Sequence, residues 1–128
     1  MGYGVKYEIN DVVIPEKSVP DCLAAINALH LDLHYAWVGD PPAGGFKTLV
    51  EAFRAWRFSA TDNDSDIVLE YFNGEKLGDE ECLFRAIAPY VIQEEDPSIF
   101  ALGEDGTRWR YLFNGRKLIE QRAHIEWR

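Results

Sequence analysis

The stretch SIFALGEDGTRWRYLFNGRKLIEQR, residues 98–122, decides the fold class. From Trp109 to Phe113 aromatic residues alternate with polar or less bulky ones, which is the period-two pattern of a strand with one buried face. The tetrapeptide GEDG precedes this strand and Asn114-Gly115 follows it, and both are typical turn sequences. The stretch therefore predicts a three-stranded antiparallel meander, with positive φ at both residues of the Asn-Gly turn.

The third strand of this meander also alternates. Its apolar positions are Ile119, Ala123, Ile125 and Trp127, and its polar positions are Glu120, Arg122, His124 and Glu126. Such alternation is typical of an antiparallel sheet with one buried face. The letters F-N-G-x-K-L occur twice, from Phe72 and from Phe113, but the first copy leads into a predicted helix and the second into a strand. The echo is therefore interpreted as a reused turn sequence and not as a repeat.

The rest of the chain supplies helices and further strands. YGVKYEI, residues 3–9, alternates as a strand, and SVPD predicts a helix with Ser18 as its N-cap. A second helix is predicted over residues 46–56, a hairpin around TDNDSD and a third helix over residues 78–90. Together these elements predict one α+β domain, residues 1–128. Its antiparallel sheet has about five to six strands, with two to three helices packed on one face.

The net charge of −9 is distributed unevenly along the chain. Residues 62–105 hold 13 acids and 2 bases, which gives −11, whereas residues 106–128 carry +4. This uneven distribution of charge argues against nucleic-acid binding through a basic face, and it favours a basic protein partner. Arg108 and Arg110, on the opposite face of their strand from the aromatics, are expected to meet the acidic segment rather than nucleic acid.

Motifs for metal-dependent or nucleophilic chemistry are incomplete. In DNDSD, Ile67 replaces the glycine of a calcium loop and Asn73 replaces its bidentate glutamate. His30 and His34 have metal-ligand spacing but lack the glutamate of a zinc hydrolase motif. No Gly-x-Ser-x-Gly sequence or phosphate-binding glycine loop is found. We therefore predict no enzyme, no catalytic residue, no metal and no cofactor.

The two cysteines are expected to be reduced, although a disulfide between them stays open. Cys22 and Cys82 each lie among apolar residues of a predicted helix, and the acids before Cys82 disfavour its thiolate. No apolar run approaches the ~18 residues of a membrane span. A cytoplasmic location in a bacterial host cell, without membrane attachment, is expected.

Two further stretches carry a resemblance. FNGEKLGDEECLFRAIAPYV, followed by GEDGTRWRYLF, resembles small acidic proteins of unassigned function carried by bacteriophages and integrated mobile elements, over residues 54–122. That group often has a Gly-Ser hairpin where this chain reads IQEEDPSIFAL. The resemblance implies a phage or mobile-element setting and no catalytic residues.

The leading functional hypothesis is a non-enzymatic acidic inhibitor of a basic host or defence protein. Such a protein is anti-CRISPR-like and mimics the negative charge of nucleic acid. The expected contact residues are Asp62, Asp64, Asp66, Glu75, Asp79, Glu80, Glu81, Glu94, Glu95 and Asp96. The alternatives are an immunity protein that neutralises a nuclease toxin, a metal-dependent hydrolase, and a structural or assembly component of a phage particle.

Overall fold

Seven strands and three α-helices form the part of the chain that the computed structural model describes, residues 2–31 and 34–123. The strands are β1 (Val5–Asn10), β2 (Val13–Ile14), β3 (Phe58–Asn63), β4 (Asp66–Phe72), β5 (Ser98–Gly103), β6 (Arg108–Asn114) and β7 (Lys117–Arg122). The helices are α1 (Val19–Leu29), α2 (Leu49–Ala55) and α3 (Glu80–Ile87), with 3-10 turns at Glu16–Ser18 and Ala88–Tyr90.

The strands divide between two antiparallel sheets. One sheet has the order β1-β5-β6-β7 and the other the order β2-β4-β3. The predicted α+β class, the antiparallel pairing and the helices packed against the strands are confirmed. The strands are distributed over two sheets and not one, because β1 and β2 lie next to each other in the chain but pair with different partners.

The segment after β4 connects the two sheets. The Val5 amide donates to the Glu75 carbonyl at 3.0 Å, and the Leu77 amide donates to the Tyr3 carbonyl at 2.7 Å. Residues 75–77 therefore run beside the start of β1. This pairing places the beginning of α3, three residues later, at the same end of the four-stranded sheet.

Phe84 of α3 lies at the centre of the core and contacts both sheets. Its ring centroid is 5.7 Å from that of Phe58 in β3, 5.8 Å from Tyr7 in β1 and 5.0 Å from Tyr111 in β6. These separations are those of interacting aromatic pairs. The buried side chains Ile26 of α1 and Phe53 of α2 belong to the same cluster.

The two N-terminal helices begin differently from the sequence expectation. The Ser18 side chain makes no capping hydrogen bond, because the Glu16–Ser18 turn leads directly into α1. Helix α2 begins only at Leu49. Its N-cap is Thr48, whose backbone is extended and whose hydroxyl oxygen accepts a hydrogen bond from the Glu51 amide at 3.1 Å. No helix among residues 2–31 and 34–123 is long and apolar enough to cross a membrane.

Three predicted turns have different outcomes. The TDNDSD hairpin is confirmed, with Asp64 and Ser65 as its two turn residues at φ 51° and 74°. In the β6–β7 turn the central residues are Gly115 and Arg116, since Asn114 pairs with Lys117, and only Gly115 has positive φ. The first Asn-Gly forms no hairpin, because the Asn73 amide donates to the Arg57 carbonyl at 2.7 Å.

The apolar alternation of the last strand does not face the core. A two-residue turn pairs the odd-numbered residues of β6 with even-numbered residues of β7, and paired residues share a face. Tyr111 therefore lies opposite Glu120, and Trp109 opposite Arg122, on the inner side of the sheet. Ile119 lies on the outer side with Leu112, and the predicted positions from His124 onward fall outside the described residues.

Candidate functional site

The ten acids expected to bind a partner do not form one surface. Val5 pairs with Gly103 at one end of the four-stranded sheet and Asn10 pairs with Ser98 at the other, about 17 Å away at the usual rise of a strand. Glu75 lies beside Val5, whereas residues 94–96 lead into Ser98. The acidic segment is therefore continuous in the sequence and divided in space.

The hairpin acids form a separate group. Asp62 Oδ1 accepts from the Ser65 amide at 2.8 Å, and Asp66 Oδ1 accepts from the Glu16 amide at 2.9 Å. Two of the three hairpin carboxylates thus stabilise local backbone. Asp64, at the turn itself, is exposed.

Glu80 is wrongly included among the expected contact residues, because it is only 1% exposed. Its Oε2 accepts from Arg57 Nη2 at 3.0 Å, and its Oε1 accepts from the Tyr7 hydroxyl at 3.2 Å and the Gly78 amide at 3.1 Å. The Arg57 guanidinium also lies 4.8 Å from the ring centroid of Phe72. Glu80 is a buried structural ion-pair partner, and a bound protein has no access to it.

A cleft of about 510 Å³ lies between the start of α3 and the inner side of the four-stranded sheet, and it gathers four carboxylates. Asp79 and Glu81 come from the start of α3, Asp105 from the β5–β6 turn and Glu120 from the inner face of β7. Arg122 is the one base that lines the cleft among the described residues. The shape and the sign of charge suit a basic group from a partner.

Hydrogen bonds fix two of these carboxylates. Asp105 Oδ1 accepts from the Tyr3 hydroxyl and from the Thr107 amide, and these bonds lower the pKa of Asp105 to about 2. Asp79 Oδ2 accepts from the Ala36 amide at 2.7 Å. Asp105 therefore keeps its negative charge throughout the neutral and mildly acidic range.

The other two carboxylates pair with nearby arginines. Glu81 lies 3.0 Å from Arg85 Nη2, and Glu120 lies 3.4 Å from Arg122 Nη2. Both pairs are partly solvated, so a partner's basic groups can replace these arginines at little cost. The cleft thus contains two fixed and two exchangeable carboxylates.

The side chains considered for metal chemistry do not assemble. Within residues 2–31 and 34–123 no three His, Cys, Asp or Glu side chains converge on a metal position. His30 Nε2 accepts from Trp56 Nε1 at 3.1 Å, and burial lowers the pKa of His30. His34 lies 3.5 Å from Asp40 on the surface, and His124 is outside the described part.

Both cysteines are free thiols with raised pKa values. Burial raises the pKa of Cys22 to about 12, while Cys82 is half-buried and borders the cleft. Its pKa is raised by burial and then by the neighbouring Asp79 and Glu81 carboxylates. The expectation that acids disfavour a thiolate at Cys82 is confirmed.

Iodoacetamide is expected to alkylate Cys82 of the native protein at least about tenfold faster than Cys22, because the reagent reaches Cys22 only after local opening. Mass spectrometry of peptides at successive times measures both rates. In denaturant the two rates should converge. Equal rates in the native protein would contradict the burial of Cys22.

Sequence reasoning missed three residues of this site. The sequence patterns place Asp105 only in a turn, Glu120 only at a polar position of the last strand, and Tyr3 only in the first strand, whereas all three line the cleft. The odd–even pairing of β6 with β7 was the available signal for Glu120. Arg110 donates to Gln121 at 2.7 Å and not to the acidic segment, and no described ion pair joins Arg108 to that segment.

No protein-family model, no curated protein and no solved structure matches this chain. The geometry of the cleft and the charge of the surrounding surface are therefore the basis for a functional proposal.

Proposed function

We propose that this protein is a non-enzymatic inhibitor, from a phage or mobile element, of a basic host or defence protein. The carboxylate cleft carries the proposal. It would receive lysine or arginine side chains that otherwise contact nucleic-acid phosphates. The proposed contact residues are Glu75, Asp79, Glu81, Asp105 and Glu120. Glu80 is left out because it is buried, and Asp105 and Glu120 are added because they line the cleft.

The charge around the cleft supports this proposal. Glu75 and Glu104 lie at the Val5 end of the sheet, where both line a second hollow beside Lys6. Negative charge concentrated at one end accelerates association with a positive surface. Carboxylates spaced over a concave surface are able to occupy the positions of several phosphates in a basic channel.

Tyr3 and Leu77 give the cleft its rigidity. Their backbones pair at 2.7 Å, and the Tyr3 hydroxyl holds Asp105 from the opposite wall. Because Asp79 is also bonded to the Ala36 amide, binding orders few additional side chains. A pre-organised acidic site loses less entropy on binding than flexible surface acids do.

Capture from a bacterial lysate tests the proposal. Immobilised protein is compared with a cleft variant, Glu81→Lys with Glu120→Lys, and with a control variant, Glu16→Lys with Glu94→Lys. Both variants change the net charge by +4, but the control residues are exposed and lie away from the cleft. Basic nucleic-acid-binding proteins should be retained by the unaltered protein and the control, and lost from the cleft variant.

Competition separates charge mimicry from other forms of binding. Single-stranded or double-stranded nucleic acid is added to the washed resin that carries the captured protein. It should displace that protein from the resin, because nucleic acid and the cleft bind the same basic surface. Equal capture by the cleft variant and the unaltered protein would overturn the proposed contact site. Captured proteins without a basic surface would overturn the proposed class of partner.

A further inference from the structure

The cleft already holds one guanidinium group, which belongs to the chain itself. Arg122 lies on the inner side of the edge strand β7, and its Cζ is 5.1 Å from the ring centroid of its strand partner Trp109. Its Nη2 lies 3.4 Å from the Glu120 carboxylate. The group is therefore stacked on an indole and paired with a carboxylate at the same time, and both contacts are typical of guanidinium groups in proteins.

Aromatic residues form the wall on which this guanidinium lies. Trp109 Nε1 donates to the Tyr111 hydroxyl at 3.1 Å, and both residues line the cleft. Burial first, and then the Glu81 and Glu120 carboxylates, raise the pKa of Tyr111 to about 12. Both carboxylates therefore act on the same ring. The cleft thus adds an aromatic stacking surface to its carboxylates, and a cluster of acids alone has no such surface.

The side chain of Arg122 is held loosely. Its distance of 3.4 Å from the Glu120 carboxylate is longer than that of a strong charge-assisted hydrogen bond, about 2.7–2.9 Å. The side chain is 55% exposed, so solvent weakens the ion pair. The backbone is fixed independently, because the Ala123 amide donates to the Arg108 carbonyl at 3.1 Å. The side chain is therefore able to leave the cleft while the strand stays paired.

We propose that the cleft is a site for an arginine side chain of the partner, and that Arg122 occupies this site until the partner displaces it. This inference rests on the proposed inhibitor function, because it names the partner group that the cleft binds. The incoming guanidinium stacks on Trp109 and pairs with Glu120 in the place that Arg122 vacates. Arg122 is thus an internal competitor that lowers the affinity of the cleft.

An arginine fits this site better than a lysine. The guanidinium is planar and more weakly hydrated than an ammonium, so it lies flat on the Trp109 indole while its N–H groups reach the Glu120 carboxylate. A lysine carries a compact, strongly hydrated charge that gains less from the same two contacts. Arginines that bind phosphate in nucleic acids present the same planar group, so the preference agrees with a partner that has a nucleic-acid-binding channel.

Two peptides of equal charge test the preference. They are the acetylated and amidated pentapeptide Gly-Arg-Gly-Arg-Gly and its counterpart with lysine at both arginine positions. Each is titrated into the full chain, and NMR follows the indole Nε1–H signal of Trp109. We expect the arginine peptide to bind at least about fivefold more tightly, because its planar group stacks on the exposed ring face.

This titration and the capture from lysate fail independently. Equal affinities for the two peptides would overturn the arginine site, even if basic proteins are captured through the cleft. A clear preference for the arginine peptide, with no basic protein captured from lysate, would support the site and contradict the proposed inhibitor function.

Removal of Arg122 tests its role as a competitor. Arg122→Gln should raise the affinity for the arginine peptide about tenfold, because the stacking position and Glu120 become free. Arg116→Gln is the control for charge. It removes the same charge from the exposed β6–β7 turn, about 20 Å away along β7, and should raise the affinity no more than about twofold.

A third variant separates stacking from ion pairing. Arg85→Gln frees Glu81, but no described cation–π contact joins Arg85 to an aromatic ring, so this variant should strengthen the binding of both peptides equally. Arg122→Gln should favour the arginine peptide. Circular dichroism confirms that each variant is folded. The proposal is overturned if folded Arg122→Gln binds the arginine peptide no more tightly than Arg116→Gln does.

Discussion

Replacement of Glu80 by alanine is expected to lower the free energy of unfolding by about 3–5 kcal/mol, the cost of breaking a buried ion pair. Arg57, whose side chain is 17% exposed, would lose its carboxylate partner. The Tyr7 hydroxyl and the Gly78 amide would lose an acceptor in the same step. Few other acceptors surround Arg57, since its buried Nε already lacks a hydrogen-bond partner among the described residues.

The adjacent acid supplies a matched control for this experiment. Glu81→Ala also removes a glutamate paired with an arginine, but the Glu81 side chain is 40% exposed. Solvent-exposed pairs one helical turn apart contribute about 0.3–0.5 kcal/mol. Urea denaturation followed by circular dichroism should therefore give a large loss for Glu80→Ala and a small one for Glu81→Ala. Similar losses for the two variants would contradict the structural role of Glu80.

Replacement of Phe84 by alanine should cost about 3–5 kcal/mol, because a cavity would form where three aromatic rings meet. Phe84 is fully buried and contacts Tyr7, Phe58 and Tyr111, which belong to both sheets. The sheets and α3 close around this one ring, so neighbouring side chains have little freedom to fill the space.

Tyr71→Ala is the comparison variant for Phe84, since Tyr71 is 57% exposed on β4. We expect its removal to change the free energy of unfolding by less than about 1 kcal/mol. Thermal and urea denaturation of both variants give the comparison. A loss below about 1 kcal/mol for Phe84→Ala would show that the two sheets do not depend on this ring.

Local patterns in the sequence were sufficient for most of the secondary structure. Period-two alternation located β6, and the strand signals around TDNDSD located the β3–β4 hairpin. The division into two sheets was not predictable in this way, because it depends on residues 75–77 pairing beside Tyr3 and Val5. No periodicity reports which distant strand a segment joins.

The candidate site shows the same limit. The distribution of charge along the chain predicts Asp79 and Glu81 as contact residues, and both line the cleft. It also predicts Glu80, whose position on α3 directs its side chain into the core. Residues 94–96 follow in the sequence and lie at the other end of the sheet. Asp105 and Glu120 complete the cleft, but each lies in a segment whose sequence gives no sign that this acid belongs to a site.

The acids of one sequence segment have different roles in the structure. Glu80 stabilises the core through Arg57, Asp62 and Asp66 stabilise the backbone of a hairpin and its neighbour, and Glu81 faces the cleft. Reversal of charge should therefore affect stability or partner binding according to position. The total charge of the protein would not predict which property changes.

Partner affinity of the cleft variant tests the central proposal most directly. The dissociation constant of a captured basic partner is measured by isothermal titration calorimetry, at low and at physiological salt, for the unaltered protein, the cleft variant and the control variant. We expect Glu81→Lys with Glu120→Lys to weaken binding on the order of 100-fold, and Glu16→Lys with Glu94→Lys by no more than about threefold. Equal weakening by the two variants, or an affinity that does not change with salt, would contradict recognition through the cleft.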